Sequence, residues 1–168
     1  MTLLQSGLAK SLAEDYTIDQ SLRWNAPDEP ELSRTWGSTG SRTKFTLSVW
    51  FKRAELGTTQ RVVAISQDSL KFAWLALQTD STLSIGEYIG ADYYRYVTTQ
   101  TFRDVGAWYH LVMAFDTTAS SGERVKIYVN GEQISWSEAI TFVQDTDYAI
   151  NINQSHAVGS LSNSVQYL

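Results

Sequence analysis

The closest-spaced carboxylates in the sequence are Glu14 with Asp15, Asp28 and Glu29 with Glu31, and Asp145 with Asp147. Retaining glycoside hydrolysis needs a nucleophile and an acid/base about 5 Å apart on one face. These clusters lie instead among small and turn-forming residues, as loop residues do. The histidines are His110 and His156, and there is no cysteine, no Gly-x-Ser-x-Gly and no His-x-x-x-His pair. Neither a nucleophile elbow nor a histidine or thiolate metal site is signalled. His110 sits mid-strand among apolar neighbours, where a hydrogen-bonded structural role is the plain reading.

Hard-cation and sugar chemistry remain. Asp145 and Asp147 can supply two oxygen ligands to calcium, with Asp116 or Asp92 adding from other loops. Aspartate is also an ordinary turn residue, and no dense Asp/Asn loop is present. Six Trp and nine Tyr are many for 168 residues. Flat aromatic faces stack on the apolar side of pyranose rings while polar groups fix the hydroxyls. Tyr93, Tyr94, Tyr96 and Trp136 flank expected loops and are the candidate carbohydrate-binding residues. Trp50, Trp74, Trp108 and Phe115 lie inside strand patterns and are assigned to the core.

Strands must position these groups. In residues 108–116, Tyr109, Leu111, Met113 and Phe115 fall on one face of an extended chain, with Trp108, His110, Val112 and Ala114 on the other. A small, polar connection follows at 116–123. Val125, Ile127 and Val129 then alternate with Lys126, Tyr128 and Asn130, and Asn130-Gly131 suits the two positive-φ positions of a tight hairpin. A third strand is expected over 132–136. Upstream, Phe45, Leu47, Val49 and Phe51 alternate with Thr46, Ser48, Trp50 and Lys52. Further strands are expected at 19–24, 31–35, 61–65, 70–77, 82–85, 93–99, 139–142 and 156–159, with turns at 67–69 and 145–147 and a loop at 86–92. Both prolines fall at 27–30, which marks another loop. Short, evenly spaced strands bounded by turn residues are the pattern of an antiparallel β-sandwich.

Bulk composition narrows the rest. The chain is 43% hydrophobic and 18% charged with net charge −5, ordinary for one globular domain. No run of Lys or Arg offers a grip on phosphate backbones, so nucleic acid is not an expected partner. Arg34, Arg42, Lys44, Lys52 and Arg53 gather positive charge in one region, read as a solvated face. No stretch of about 18 apolar residues is present for membrane insertion. Leu4, Leu8 and Leu12 share one helix face, so residues 1–18 are read as a short helix or coil that packs on the sandwich or anchors it to a partner. Residues 19–168 form the sandwich.

The motifs Trp108-Tyr-His-Leu-Val112 and Ile127-Tyr-Val-Asn-Gly131, with Phe45-Thr-Leu-Ser-Val-Trp-Phe-Lys52, Ser21-Leu-Arg-Trp24 and Glu31-Leu-Ser-Arg-Thr35, resemble the concanavalin A-like lectin/glucanase superfamily. The likeness is to its laminin-G-like branch, jelly rolls in which a strand like His156-Ala-Val-Gly159 pairs beside the first ones. Leu32-Ser-Arg-Thr35, the Gly/Ser/Arg loop and Trp50-Phe-Lys-Arg53 are most similar to domains of bacteriophage virion proteins.

The resemblance implies a non-catalytic adhesion or structural protein of a tail fibre, capsid fibre or similar appendage, on the virion surface and made in the host cytoplasm. Its expected partners are host-surface glycan, other virion proteins or copies of itself. A purely structural role is the alternative. A glycoside hydrolase is disfavoured because the Glu-x-Asp-x-x-Glu spacing of the β-glucanase members is missing. Calcium sometimes accompanies such domains, whereas nothing implies another cofactor. A closing C-terminal strand, usual in these domains, is not visible in residues 162–168, which leads us to expect that the chain is part of a longer protein.

Overall fold

The computed structural model describes residues 31–68 and 71–159, and within them the chain is all β. The strands are β1 (Leu32–Thr35), β2 (Lys44–Lys52), β3 (Gln60–Asp68), β4 (Lys71–Leu77), β5 (Thr82–Ile89), β6 (Asp92–Thr101), β7 (Trp108–Asp116), β8 (Val125–Val129), β9 (Glu132–Gln133), β10 (Trp136–Ile140) and β11 (Ser155–Val158). They pair antiparallel into a seven-stranded sheet, ordered β1-β11-β3-β4-β5-β6-β10, and a four-stranded sheet, ordered β2-β7-β8-β9. The result is a two-sheet sandwich of jelly-roll kind. The expected helix over 1–18, the strand at 19–24 and the closing segment at 162–168 lie outside the described residues.

Alternation decides which side chains fill the space between the sheets. From the small sheet come Phe45, Leu47, Val49 and Phe51 of β2, Tyr109, Leu111, Met113 and Phe115 of β7, and Val125, Ile127 and Val129 of β8. Leu75, Leu77, Leu83, Ile85 and Tyr96 meet them from the large sheet. Each such side chain, once fully buried, contributes about 1.5–3 kcal/mol. Phe142 is the centre of an aromatic cluster, with rings of Tyr94, Tyr96, Phe115 and Tyr148 all 4.7–5.8 Å away.

The hairpin between β8 and β9 is as the sequence predicts, with Asn130 and Gly131 at φ 52° and 88°. Two expected boundaries are corrected. Residues 86–92 are not a loop, because β5 and β6 pair through to Ile89 and Asp92 and leave only Gly90 and Ala91 to turn. Gly86 is a mid-strand glycine over which a large side chain lies. The strand expected at 132–136 is two. Glu132 and Gln133 pair with β8, after which the chain crosses between sheets and Trp136 pairs with β6.

The positive region is also not one solvated face. Arg53 is buried, and its guanidinium donates to the backbone carbonyls of Glu55, Thr58, Gln78 and Phe102. Arg42 donates to the carbonyls of Tyr148 and Asp147, 2.6 and 3.3 Å away, tying the loop before β2 to the loop before β11.

Candidate carbohydrate-binding face

Residues of β4, β5 and β6 whose side chains turn away from the core meet on the outer face of the large sheet. The register places Ser66, Phe72, Tyr88 and Tyr93 in one row across β3 to β6, and Ala64, Trp74, Gly86 and Arg95 in the next. Small residues on both sides of Trp74 leave a trough for its indole. The ring lies across Gly86 so closely that a Cβ there would come within 2.2 Å of Cζ2. Trp74 Nε1 donates to Ser84 Oγ at 2.9 Å, and Gln78 Nε2 donates to the same oxygen at 2.8 Å. The indole is thus held flat on the sheet with its polar edge satisfied, as a buried or half-buried Trp requires.

Around it the aromatic surface is continuous. Phe72 lies 5.7 Å from Trp74 and 5.4 Å from Tyr88, and Tyr93 lies 5.7 Å from Trp74, all at interplanar angles near 30°. These are tilted and offset-stacked contacts, which make a continuous aromatic floor rather than a plug. Arg95, paired with Glu138 at 3.8 Å, borders the floor with both charges. A floor of this kind can take the apolar face of a sugar ring, with the Arg95 and Glu138 groups available to hydroxyls.

The sequence candidates divide between this face and the core. Tyr93 is 40% exposed and belongs to the floor. Tyr96 is the reverse, 2% exposed, and burial pushes its phenol pKa up. Tyr94 faces inward and stacks on Phe142 at 5.6 Å. Trp136 packs edge-on against Tyr96 at 5.0 Å and donates Nε1 to the carbonyl of Val125. The expectation that all four are exposed is therefore corrected: alternation along β6 sends Tyr94 and Tyr96 to the opposite face from Tyr93. Core assignment holds for Phe115 but not for Trp50 and Trp108, which are 44% and 42% exposed on the outside of the small sheet, nor for Trp74. Sequence reasoning missed Phe72, Trp74 and Tyr88. Alternation puts them on the face opposite Ala73, Leu75 and Glu87 but does not tell which face is outward.

A family model described as the concanavalin A-like lectin/glucanases superfamily, of laminin-G type, matches residues 31–164. The chain belongs to this superfamily. Solved structures similar to this laminin-G-like domain share its fold at low identity. Domains LG4-5 of the mouse laminin alpha1 chain align with TM-score 0.58 and 12% identity over 81% of this chain and 33% of that one. A heptameric SAP-like pentraxin from Limulus polyphemus aligns with TM-score 0.53 and 17% identity over 80% of this chain and 59% of that one. The chain thus spans a third of the first and under two thirds of the second. The CBM40 module of the Ruminococcus gnavus IT-sialidase bound to α2,3 sialyllactose aligns with TM-score 0.50 and 9% identity, over 79% of this chain and 81% of that one. Comparison with curated protein sequences gives no match.

In this laminin-G-like domain the calcium candidates are dispersed into turns. Asp145 sits at φ 53° in an exposed turn, and Asp147 pairs with Arg42 at 3.7 Å. Asp116 pairs with Lys44 at 3.1 Å and accepts from the Thr118 amide and hydroxyl, contacts that hold its carboxyl below the usual range. Asp92 opens β6, directly after the Gly90-Ala91 turn. Among the described residues no group of three His, Asp or Glu side chains is placed to hold a metal. His110 is hydrogen-bonded as expected, its Nε2 3.0 Å from Ser48 Oγ. A groove of about 420 Å³ that Trp74 also lines opens between β1, β11 and β2, bordered mainly by apolar residues including Leu32, Phe45, Leu47 and Val63. Ser33, Arg34, Thr46, Asn151 and His156 are the polar side chains of its lining.

Proposed function

We propose that this domain is a non-catalytic, lectin-like module that binds glycan on the outer face of its large sheet. On this reading it is carried by a tail fibre, capsid fibre or similar appendage of a bacteriophage and attaches the particle to host-surface glycan. The observation that carries the binding role is the Trp74 indole, pinned flat over Gly86 and extended by Phe72, Tyr88 and Tyr93. The likeness in fold to a sialidase carbohydrate-binding module supports it. The phage setting is supported by the β1, loop and β2 sequence, with other virion proteins or copies of the chain as neighbours. The most perturbed carboxylate, Glu87, is enclosed in the core rather than set in a cleft, which favours binding over hydrolysis.

A purely structural role in the particle is the second reading, favoured by the apolar groove and the exposed Leu32 and Val158 at its rim. A glycan array probed with the chain and with a Trp74→Ala/Tyr93→Ala variant separates the two. Glycan binding that drops at least tenfold in the variant supports the lectin reading. A chain that retains its fold and binds no glycan sinks it. Mass spectrometry of purified particles tests the virion setting independently.

A further inference from the structure

The outer face of the small sheet carries a second aromatic patch of different chemistry. Along β2 the side chains of Thr46, Ser48, Trp50 and Lys52 point outward, and along β7 those of Trp108, His110, Val112 and Ala114. The register sets Trp50 beside His110 and Lys52 beside Trp108, a two-by-two block at one end of the sheet. The Trp50 and His110 rings stack at 4.7 Å and 14°.

His110 is fixed on several sides. Its Nε2 lies 3.0 Å from Ser48 Oγ, its amide donates to Asn130 Oδ1 at 2.9 Å, and its carbonyl accepts from the Asn130 amide at 2.8 Å. The imidazole therefore backs one side of the Trp50 indole as a rigid buttress. The other side of that indole, and the whole Trp108 ring, have no aromatic partner among the described residues.

Charge separates this patch from the floor on the large sheet. On the small sheet's outer face Lys44 is paired with Asp116 at 3.1 Å and Lys126 with Glu123 at 2.5 Å. Lys52 makes no ion pair among the described residues, and the register sets it beside Trp108 and two residues along β2 from Trp50. The chain as a whole carries a net charge of −5, so Lys52 is a local cation on an acidic molecule. One free cation is far too few for a nucleic-acid backbone, whose binding scales with the number of phosphates neutralised. Two open indoles and one ammonium instead match a ring with an apolar face and a single negative charge.

We infer that Trp50, Trp108 and Lys52 form a second glycan site, selective for pyranoses that carry a carboxylate, such as uronic or sialic acids. The indoles stack on sugar rings and the Lys52 ammonium pairs with the carboxylate. The site shares with the lectin reading only its general ligand class, since it lies on the opposite sheet and does not need the Trp74 floor to bind anything.

Affinity electrophoresis in native gels containing polygalacturonate, polysialic acid or neutral dextran tests it, using the whole chain. We expect retardation by at least one acidic polymer, relieved by added salt, and little by dextran. Trp50→Ala and Trp108→Ala each weaken binding about tenfold. Lys52→Met removes the preference for acidic over neutral polymer, whereas Lys52→Arg keeps it. The effects of the Trp50 and Lys52 substitutions are read in the Trp74→Ala background as well, so failure of the Trp74 site and failure of this one are distinguishable. Retardation by neither acidic polymer, or retardation indifferent to Trp50 and Lys52, overturns the proposal. So does sedimentation showing that Trp50→Ala converts an oligomer to a monomer, which would assign the face to a second copy of the chain. Trp50, Lys52 and Trp108 are exposed, and thermal melting confirms that each variant folds.

Discussion

The carboxyl of Glu87, on β5, accepts a hydrogen bond from the backbone amide of Ala149, in the loop that leads to β11. The side chain is fully enclosed, and Oε2 has no hydrogen-bond partner among the described residues. Burial outweighs the Ala149 amide and the Arg42 charge and pushes the carboxyl pKa up to about 8, from an ordinary 4.5. Between those values the folded chain holds a proton that the unfolded chain has released. This contribution to stability is complete below pH 4.5 and is lost as the pH rises through about 8. Glu87→Gln cannot ionise and keeps an acceptor for Ala149. From pH 5 to pH 9 the melting temperature of the variant should rise relative to the parent, by an amount worth about 2–4 kcal/mol. Parallel pH profiles for the two proteins would refute this.

Gly86 and Trp74 form a matched pair. A methyl group at Gly86 would stand 2.2 Å from Cζ2 and 2.6 Å from Cη2 of the indole. Gly86→Ala should therefore lift Trp74 off the sheet, although alanine suits a strand interior better than glycine. The expected cost is about 1–3 kcal/mol of stability from overpacking, with a red-shifted Trp emission as the ring enters water. Glycan binding on this face should weaken together with Tyr93 contact. Chemical denaturation and fluorescence spectra on one sample check both effects.

Arg53 is the buried tie among three parts of the chain. Its guanidinium reaches Phe102 O at 2.9 Å and Gln78 O at 3.1 Å, besides Glu55 O and Thr58 O. Arg53→Met keeps much of the side-chain volume but strands these carbonyls in an apolar setting. Each buried acceptor left without a partner costs about 1–3 kcal/mol, so a loss of about 3 kcal/mol or more is expected in urea denaturation. Arg53→Lys should recover only part of it, because an ammonium cannot span the same fork.

Asn130 does two jobs at the β8–β9 turn. It takes up φ 52°, and its Oδ1 accepts from the His110 amide at 2.9 Å. Asn130→Gly preserves the first and removes the second, whereas Asn130→Ala removes both. The alanine variant should lose about 1–2 kcal/mol more than the glycine one, since left-handed backbone is costly to a residue with a Cβ. Equal melting temperatures for the two variants would show that the backbone conformation contributes nothing there.

The strands of the small sheet were legible from sequence because β2, β7 and β8 each bury one face and alternate cleanly. Phe45, Leu47, Val49 and Phe51 against Lys44, Thr46, Ser48 and Lys52 leave little choice. Trp50 broke that pattern by being large and apolar on the solvent side, and the same ambiguity misassigned Trp108. On the large sheet both faces of β4 and β5 are covered, Ala73, Leu75 and Leu77 on one side and Phe72 and Trp74 on the other. Period-two patterning then says little about which face is the core. The Tyr93-Tyr94-Arg95-Tyr96 run shows why the candidate site was only partly readable. Adjacent tyrosines necessarily take opposite faces, but which one is outward depends on register with β5, and register depends on residues far away in sequence. Gly86 misled as a breaker because its role, making room for an indole on the next strand, is a contact that no local pattern contains.

Strand β11 lies between β1 and β3, with Ala157 opposite both Ser33 and Ala64. The earliest described strand therefore waits for the last described one, and no order of synthesis can complete the large sheet before residue 158 has left the ribosome. Chain closure over so long a span is slow relative to hairpin formation. Nascent chains stopped before Ser155 should expose the free edge of β3, which is open to pairing with other chains. Emergence of β11, rather than any local turn, is then the event that commits this domain to its fold.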